Sequence, residues 1–265
     1  MARDRLTLRL MWAFISVVLA FLYVPLLPPL LFSIQDGGDG SAGLTFRWYG
    51  EMWNNPVLVG SMRISALIAL LTGLITPPLA ILAAMAVREL RIPRLVMMLM
   101  LLPLFIPAVS MGLAVAFFFQ QLGIPPSLLT ITLVHVLWAL PFAFLIILTV
   151  MATFDPIYLE AAYVQGANRF RAFRDIELPL IWPGVFGAAV FSIILSFNET
   201  IRTALVQGRY NTVQTYIWST FLQVGLSPAL YALMSLLIVV TLALVGVLFV
   251  LRQRRTSAAQ SSILQ

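Results

Sequence analysis

A chain of 265 residues that is 61% hydrophobic and only 10% charged carries more apolar surface than a water-soluble domain can hide, and this composition places it in a bilayer. It has no cysteine, which excludes disulfide staples, thiolate metal sites and cysteine nucleophiles. The formal charge of +6 rests on 16 basic residues, all of them arginine and most in short clusters beside apolar runs, a pattern of topology signals and not of a nucleic-acid-binding face.

A helix crossing the hydrocarbon needs roughly 20 mostly apolar residues, and six runs meet that requirement, at 9 to 34, 58 to 87, 95 to 120, 127 to 151, 180 to 205 and 229 to 251. The first follows Arg3, Arg5 and Arg9 as a signal peptide would. It is too long for one, however, and ends in "FSIQDGGDG" without a small-residue cleavage site, so it reads as an uncleaved first span. The loop after it, 35 to 57, opens on the flexible "DGGDGSAG" and closes on "FRWYGEMWNNP", where Trp48, Tyr49 and Trp53 suit an aromatic belt at the headgroup level better than a ligand cage.

Prolines punctuate four spans: "YVPLLPPLL" in the first, "TPP" at 76 to 78 in the second, "LLPLFIPAVSMG" in the third and "ALPFAF" in the fourth. They predict kinked packing, or hinges around a pathway, at places where neighbouring helices or water satisfy the freed backbone groups. His135, the only histidine, falls in the fourth span and is expected to bond a neighbouring helix more readily than to relay protons. With acids scattered across loops, no metal-ligand cluster and no nucleophile with a base can be assembled. Neither a metal site nor a catalytic site is expected.

The arginines test the topology. Arg3, Arg5 and Arg9 precede the first span, and Arg88, Arg91 and Arg94 lie between the second and third. Arg169, Arg171 and Arg174 lie between the fourth and fifth, and Arg252, Arg254 and Arg255 follow the sixth. All twelve fall on one side, against Arg47, Arg63, Arg202 and Arg209 on the other. The positive-inside rule therefore predicts both termini in the cytoplasm.

The longest polar stretch, "EAAYVQGANRFRAFRDIELP" at 160 to 179, sits between the fourth and fifth spans. Asp155 before Pro156 predicts a helix start, Gly166 a left-handed stop about ten residues later, and "ANRFRAFRDIELP" a second short helix with Phe170 and Phe173 on one face. Ala161 and Ala162 give the first helix a small face that lets another protein's groove approach its backbone, with Glu160 beside them. Taken alone, these residues suit a docking knob and a surface-lying connector equally.

The stretch resembles the EAA motif of binding-protein-dependent ABC importer permeases: E-A-A, three residues, G, nine residues, I, one residue, L-P. Glu160, Ala161, Ala162, Gly166, Ile176, Leu178 and Pro179 fit it without a gap. The resemblance implies an all-α integral membrane protein of six transmembrane helices, the type I ABC importer (MetI-like) permease fold. It also implies one permease domain over 1 to 265, with a coupling segment at 152 to 179; the low-complexity tail "TSAAQSSILQ", at 256 to 265, is expected to be disordered from its composition. In that family the motif couples to an ATPase, so ATP and Mg are expected on partner subunits and no cofactor on this chain, which has no Walker-type loop of its own. The implied partners are a second homologous permease, two ATPase subunits, an extracytoplasmic solute-binding protein and the lipid of a bacterial inner membrane.

Looser matches, among them "YVPLLPPLLFSI", "LPLFIPAVSMGLAV" and "SFNETIRTALVQG", are similar to the shorter permease of spermidine/putrescine-type importers. That branch also serves iron, phosphonate, thiamine, opine-like and amino-acid-derived solutes. A substrate path is expected along Ser110, Asn198, Glu199 and Arg202, where Glu199 suits a cationic solute unless Arg202, three residues on, neutralises it. The rivals are an integral membrane enzyme, which needs a polar cluster at one depth, and a proton- or sodium-driven secondary transporter, which needs several charges in broken spans.

Overall fold

The computed structural model describes residues 2–36, 43–90 and 92–243, and the tail expected at 256 to 265 lies outside them. Among the described residues the regular structure is helical, apart from one isolated antiparallel bridge between Gln35 and Leu44. Four helical runs are long and apolar enough to cross a membrane: Thr7–Phe32, Pro56–Glu89, Leu128–Ala152 and Arg169–Phe197. A bent pair, Pro93–Phe105 with Ala108–Gln121, makes a fifth. The sixth expected span is an apolar helix over Pro228–Ala243, beyond which the chain is outside the described residues.

The chain forms two compact units. One comprises the described residues of 1–56 and 220–243. It holds α1 (Ala2–Tyr23), a 3₁₀ turn at Val24–Leu26, α2 (Leu27–Phe32) and α3 (Arg47–Asn54). Pro25 falls in the 3₁₀ turn, and Pro28 and Pro29 open α2, so the proline cluster interrupts the α-helical register of the first span without ending it. Two of the three aromatic residues expected to form a belt make hydrogen bonds to the first unit's other segments. The Trp48 indole donates to the Gln35 carbonyl at 2.9 Å, and the Tyr49 hydroxyl lies 2.9 Å from Ser33 Oγ and 3.1 Å from Ser235 Oγ.

While the helix at Pro228–Ala243 falls in the first unit, the other unit, 57–219, carries the second to fifth spans and the segments that join them. These are α4 (Pro56–Glu89), α5 (Pro93–Leu101), α6 (Ala108–Gln121), α7 (Leu128–Ala152), α8 (Ile157–Val164), α9 (Arg169–Ala172), α10 (Leu178–Phe197), α11 (Ile201–Val206) and the start of α12 (Val213–Val224). Its core is built where α4, α7 and α10 meet, from Ala80, Ile81, Ala84, Ala143, Phe144, Ile147, Met151, Ile181, Val185 and Ala188. Helix association in lipid depends on close packing, which small residues permit. At Gly184 a Cβ would stand 2.5 Å from Val150 Cγ2, so only glycine allows α10 this close to α7.

Two expectations need correction, while the proline kink expected in the third span is present: Pro103 lies in a 3₁₀ turn at Leu102–Phe105, Pro107 precedes the next helix, and the chain bends there by 105°. The fifth span ends at Phe197, not at 205, because Asn198 turns its side-chain amide back on the Ile194 carbonyl at 2.9 Å and α11 starts anew at Ile201. By contrast Pro77, Pro78, Pro141 and Pro183 are carried inside α4, α7 and α10 without ending them. The second short helix of the polar stretch is not separate either, since α9 runs through a π turn at Phe173–Glu177 straight into α10.

Candidate functional site

The polar stretch folds around two local devices. The Asp155 carboxylate accepts the Ile157 backbone N–H at 3.0 Å and starts α8, eight residues where about ten were expected. The helix ends at Gly166, whose φ of 84° only glycine adopts freely; Ala167 N–H returns to the Ala162 carbonyl at 3.0 Å and Gly166 N–H to that of Tyr163 at 3.0 Å. Asn168 then caps α9 by accepting the Arg171 N–H at 2.9 Å. A helix, a sharp turn and a helix result, as the spacing predicts.

Glu160, Ala161 and Gly166 are exposed, whereas Ala162 is buried against the second helix. The two arms enclose a hollow of about 410 Å³ lined by Ala161, Ala162, Gly166, Ala167, Arg171 and Ile176, among others. Of the remaining motif positions, Leu178 packs against the core of α4, α7 and α10 while Pro179 is exposed at the first turn of α10. The Arg174 guanidinium pairs with the neighbouring Asp175 at 2.7 Å on the exposed face.

Sequence reasoning passed over the acid between Ile176 and Leu178. Glu177 is 1% exposed and is held by the end of α4: Arg88 donates from Nη1 to Oε1 at 2.5 Å and from Nη2 to Oε2 at 3.3 Å. A two-point grip of this kind fixes orientation as well as distance. The available signal was an acid beside an apolar span and an arginine ending another, but 89 residues separate them.

A second polar cluster lies where α6, α7, α10 and α11 meet. Glu199 accepts twice from Arg202, from the backbone nitrogen at 2.9 Å and from Nη1 at 2.6 Å, and both side chains are buried. The guanidinium lies 3.9 Å over the Trp138 ring and its Nε donates to Met111 Sδ at 3.3 Å. Beside it, His135 bridges Ser196 Oγ at Nδ1 and Thr203 Oγ1 at Nε2, both at 2.7 Å. In the neutral ring one nitrogen donates and the other accepts, and each hydroxyl can take the complementary part; the Thr203 hydroxyl also lies 3.2 Å from the Glu199 carbonyl. The histidine thus bonds neighbouring helices, as expected of it.

Of the expected path residues, Glu199 and Arg202 come together, while Asn198 is exposed and bonded within α10, and Ser110 is exposed on α6. Trp138, Met111, Ser196 and Thr203 were not anticipated, since their roles depend on which helices meet. Among the described residues no group of three or more His, Cys, Asp or Glu side chains is placed to hold a metal ion.

The family described as "Binding-protein-dependent transport system inner membrane component" matches residues 76–257. The spermidine/putrescine transport system permease protein PotC of Escherichia coli K12 is 28% identical over 237 residues, 88% of this chain and 89% of that one. Among solved structures, a bacterial ABC transporter involved in import of the acidic polysaccharide alginate superposes with a TM-score of 0.76 at 15% identity, over 94% of this chain and 97% of that one. A second structure, of bacterial alginate ABC transporter in complex with alginate pentasaccharide-bound periplasmic protein, gives 0.68 at 22% identity, over 93% of each chain. Both likenesses concern the fold.

Proposed function

The chain belongs to the family of binding-protein-dependent transport system inner membrane components, and from that premise we propose that it passes a polyamine such as spermidine or putrescine across the bacterial inner membrane as one permease of an ATP-driven importer. Its partners in this reading are a second homologous permease, two ATPase subunits that bind ATP and Mg, and an extracytoplasmic binding protein. Both termini and the segment 152–179 face the cytoplasm, as the arginine distribution favours.

The observation that carries the mechanism is the segment's construction. An exposed eight-residue helix with a small face stops at a left-handed glycine, and the following arm runs unbroken into a span. We assign Glu160, Ala161, Ala162, Gly166, Ile176, Leu178 and Pro179 to coupling. The ATPase grips α8, and its motion passes through the turn into Arg169–Phe197 as one rod.

The cargo rests on the similarity to PotC, whose name gives spermidine and putrescine as its solutes. The buried Glu199–Arg202 pair favours a second reading, because the acid that would meet a cation is already neutralised. A zwitterionic or anionic solute, such as an opine, an amino-acid derivative or a phosphonate, fits that pair equally. On the polyamine reading the solute's charge is met elsewhere, and Ser110 and Asn198, both exposed, remain candidates for its path. The test is competition in cells carrying the whole importer. Unlabelled putrescine should suppress labelled spermidine uptake and an opine should not, whereas the reverse ranking moves the cargo to the second reading.

A further inference from the structure

Resting on the coupling role proposed above, we infer that Arg88 and Glu177 form a second transmission link, which carries motion of the coupling segment sideways into the second span. The segment is joined by continuous helix to α10 alone; α4 belongs to a different part of the chain and can follow only through contacts. Apolar neighbours supply some of these, Met85 and Val87 with Phe173 and Leu178 around the shared core. Such packing transmits motion too, but without the fixed hydrogen-bond directions of a charged pair. The Arg88–Glu177 grip adds those directions. Two parallel N–H···O contacts to a carboxylate that is 1% exposed hold the last turn of α4 in one orientation against the start of α10.

The π turn explains how the acid reaches that position. A π turn takes one residue more than an α turn, which rotates all that follows by about 100°. Phe173–Glu177 is such a turn, and the residues within it divide accordingly. Arg174 and Asp175 pair with each other on the exposed face, while Glu177 is turned inward toward Arg88. The charge is therefore buried at the junction between the moving segment and the span, and nowhere along the exposed arm. Glu177 and Arg88 are positioning residues, and neither touches solute or nucleotide in this scheme.

A pair that served folding alone would set how much complex assembles and leave the uptake obtained per ATP unchanged. A transmission link lowers that ratio in complexes that assemble normally. The experiment measures solute uptake and ATP hydrolysis together, in liposomes holding the complete importer with Glu177→Gln. Uptake per ATP should fall by about tenfold, the order of a typical coupling between sites, with hydrolysis retained. Should that variant fail to assemble, Arg88→Lys carries the same comparison, since it keeps the charge and loses the two-point grip. The absence of native cysteine permits a direct reconnection. In the double variant Arg88→Cys with Glu177→Cys, a short cleavable thiol cross-linker should raise uptake per ATP, and cleaving it should lower it again. Wild-type uptake per ATP in Glu177→Gln or Arg88→Lys, or a double variant indifferent to the cross-link, overturns the inference. If Gly166→Val remains uncoupled in the same liposomes, that result leaves the coupling role of the segment standing; if Gly166→Val is also fully coupled, the role itself fails.

Discussion

Arg202 closes on Glu199 from two directions, its backbone nitrogen at 2.9 Å and its Nη1 at 2.6 Å, three residues apart in the chain and with both side chains buried. The carboxylate thereby starts α11 and neutralises the guanidinium in one arrangement, and Trp138 covers the cation from the α7 side at 3.9 Å. Removing one partner of a buried pair strands the other. Glu199→Gln is expected to cost about 3–5 kcal/mol of stability, read as a lowered midpoint in thermal unfolding of the purified complex. The double change Glu199→Gln with Arg202→Gln should recover much of that loss. A stable Glu199→Gln complex with impaired uptake would instead favour a carboxylate that serves the solute.

Gly166 stands at φ 84°, where a β-branched side chain is strained by about 1–2 kcal/mol or more. No neighbour lies within 4 Å of a Cβ built there, so the backbone angle alone is at issue. Gly166→Val should still insert, with the ATPase either binding weakly or hydrolysing ATP without uptake, while Gly166→Asn, which tolerates the left-handed region, should retain more activity. Equal uptake from both would remove the turn from the coupling account.

His135 satisfies two hydroxyls on α10 and α11 at 2.7 Å each. His135→Leu leaves Ser196 and Thr203 to find other partners, at a cost of about 1–3 kcal/mol. The expected outcome is lower thermal stability with unchanged uptake per assembled complex. A change in the pH profile of uptake instead would revive a proton role for the ring.

The arginine split predicts sidedness. Single cysteines at Phe46 and Leu90, both exposed, should react with an impermeant thiol reagent from opposite faces of the membrane, Phe46→Cys from outside cells and Leu90→Cys from inverted vesicles. Reaction of both from one face would overturn the orientation.

How far the sequence carried each feature depended on the range of the cause. Gly166, the Asp155 cap and the small face of α8 were legible because turn, cap and helix are decided within a few residues. Hydropathy located the spans, yet could not tell a proline that breaks a helix from one that is carried: the helix of the third span is interrupted at Pro103 and Pro107, whereas Pro77, Pro78 and Pro141 lie inside unbroken helices. The difference lies in what packs around each. The end of the fifth span at Phe197 was hidden by the apolar run of α11 just beyond it. Glu177 escaped notice because its meaning lies in Arg88, far away in the chain, and in a π turn that no local pattern announces.

The central claim is that this chain converts ATP hydrolysis by partners into solute import through the segment around Gly166. It is tested most directly by uptake of labelled spermidine into liposomes holding the complete importer, with ATP on the ATPase side and the solute-binding protein on the other. Uptake against a gradient should require both ATP and the binding protein, and should be lost in Gly166→Val while assembly persists. Uptake driven by a proton or sodium gradient without ATP, or undiminished in Gly166→Val, would contradict the account.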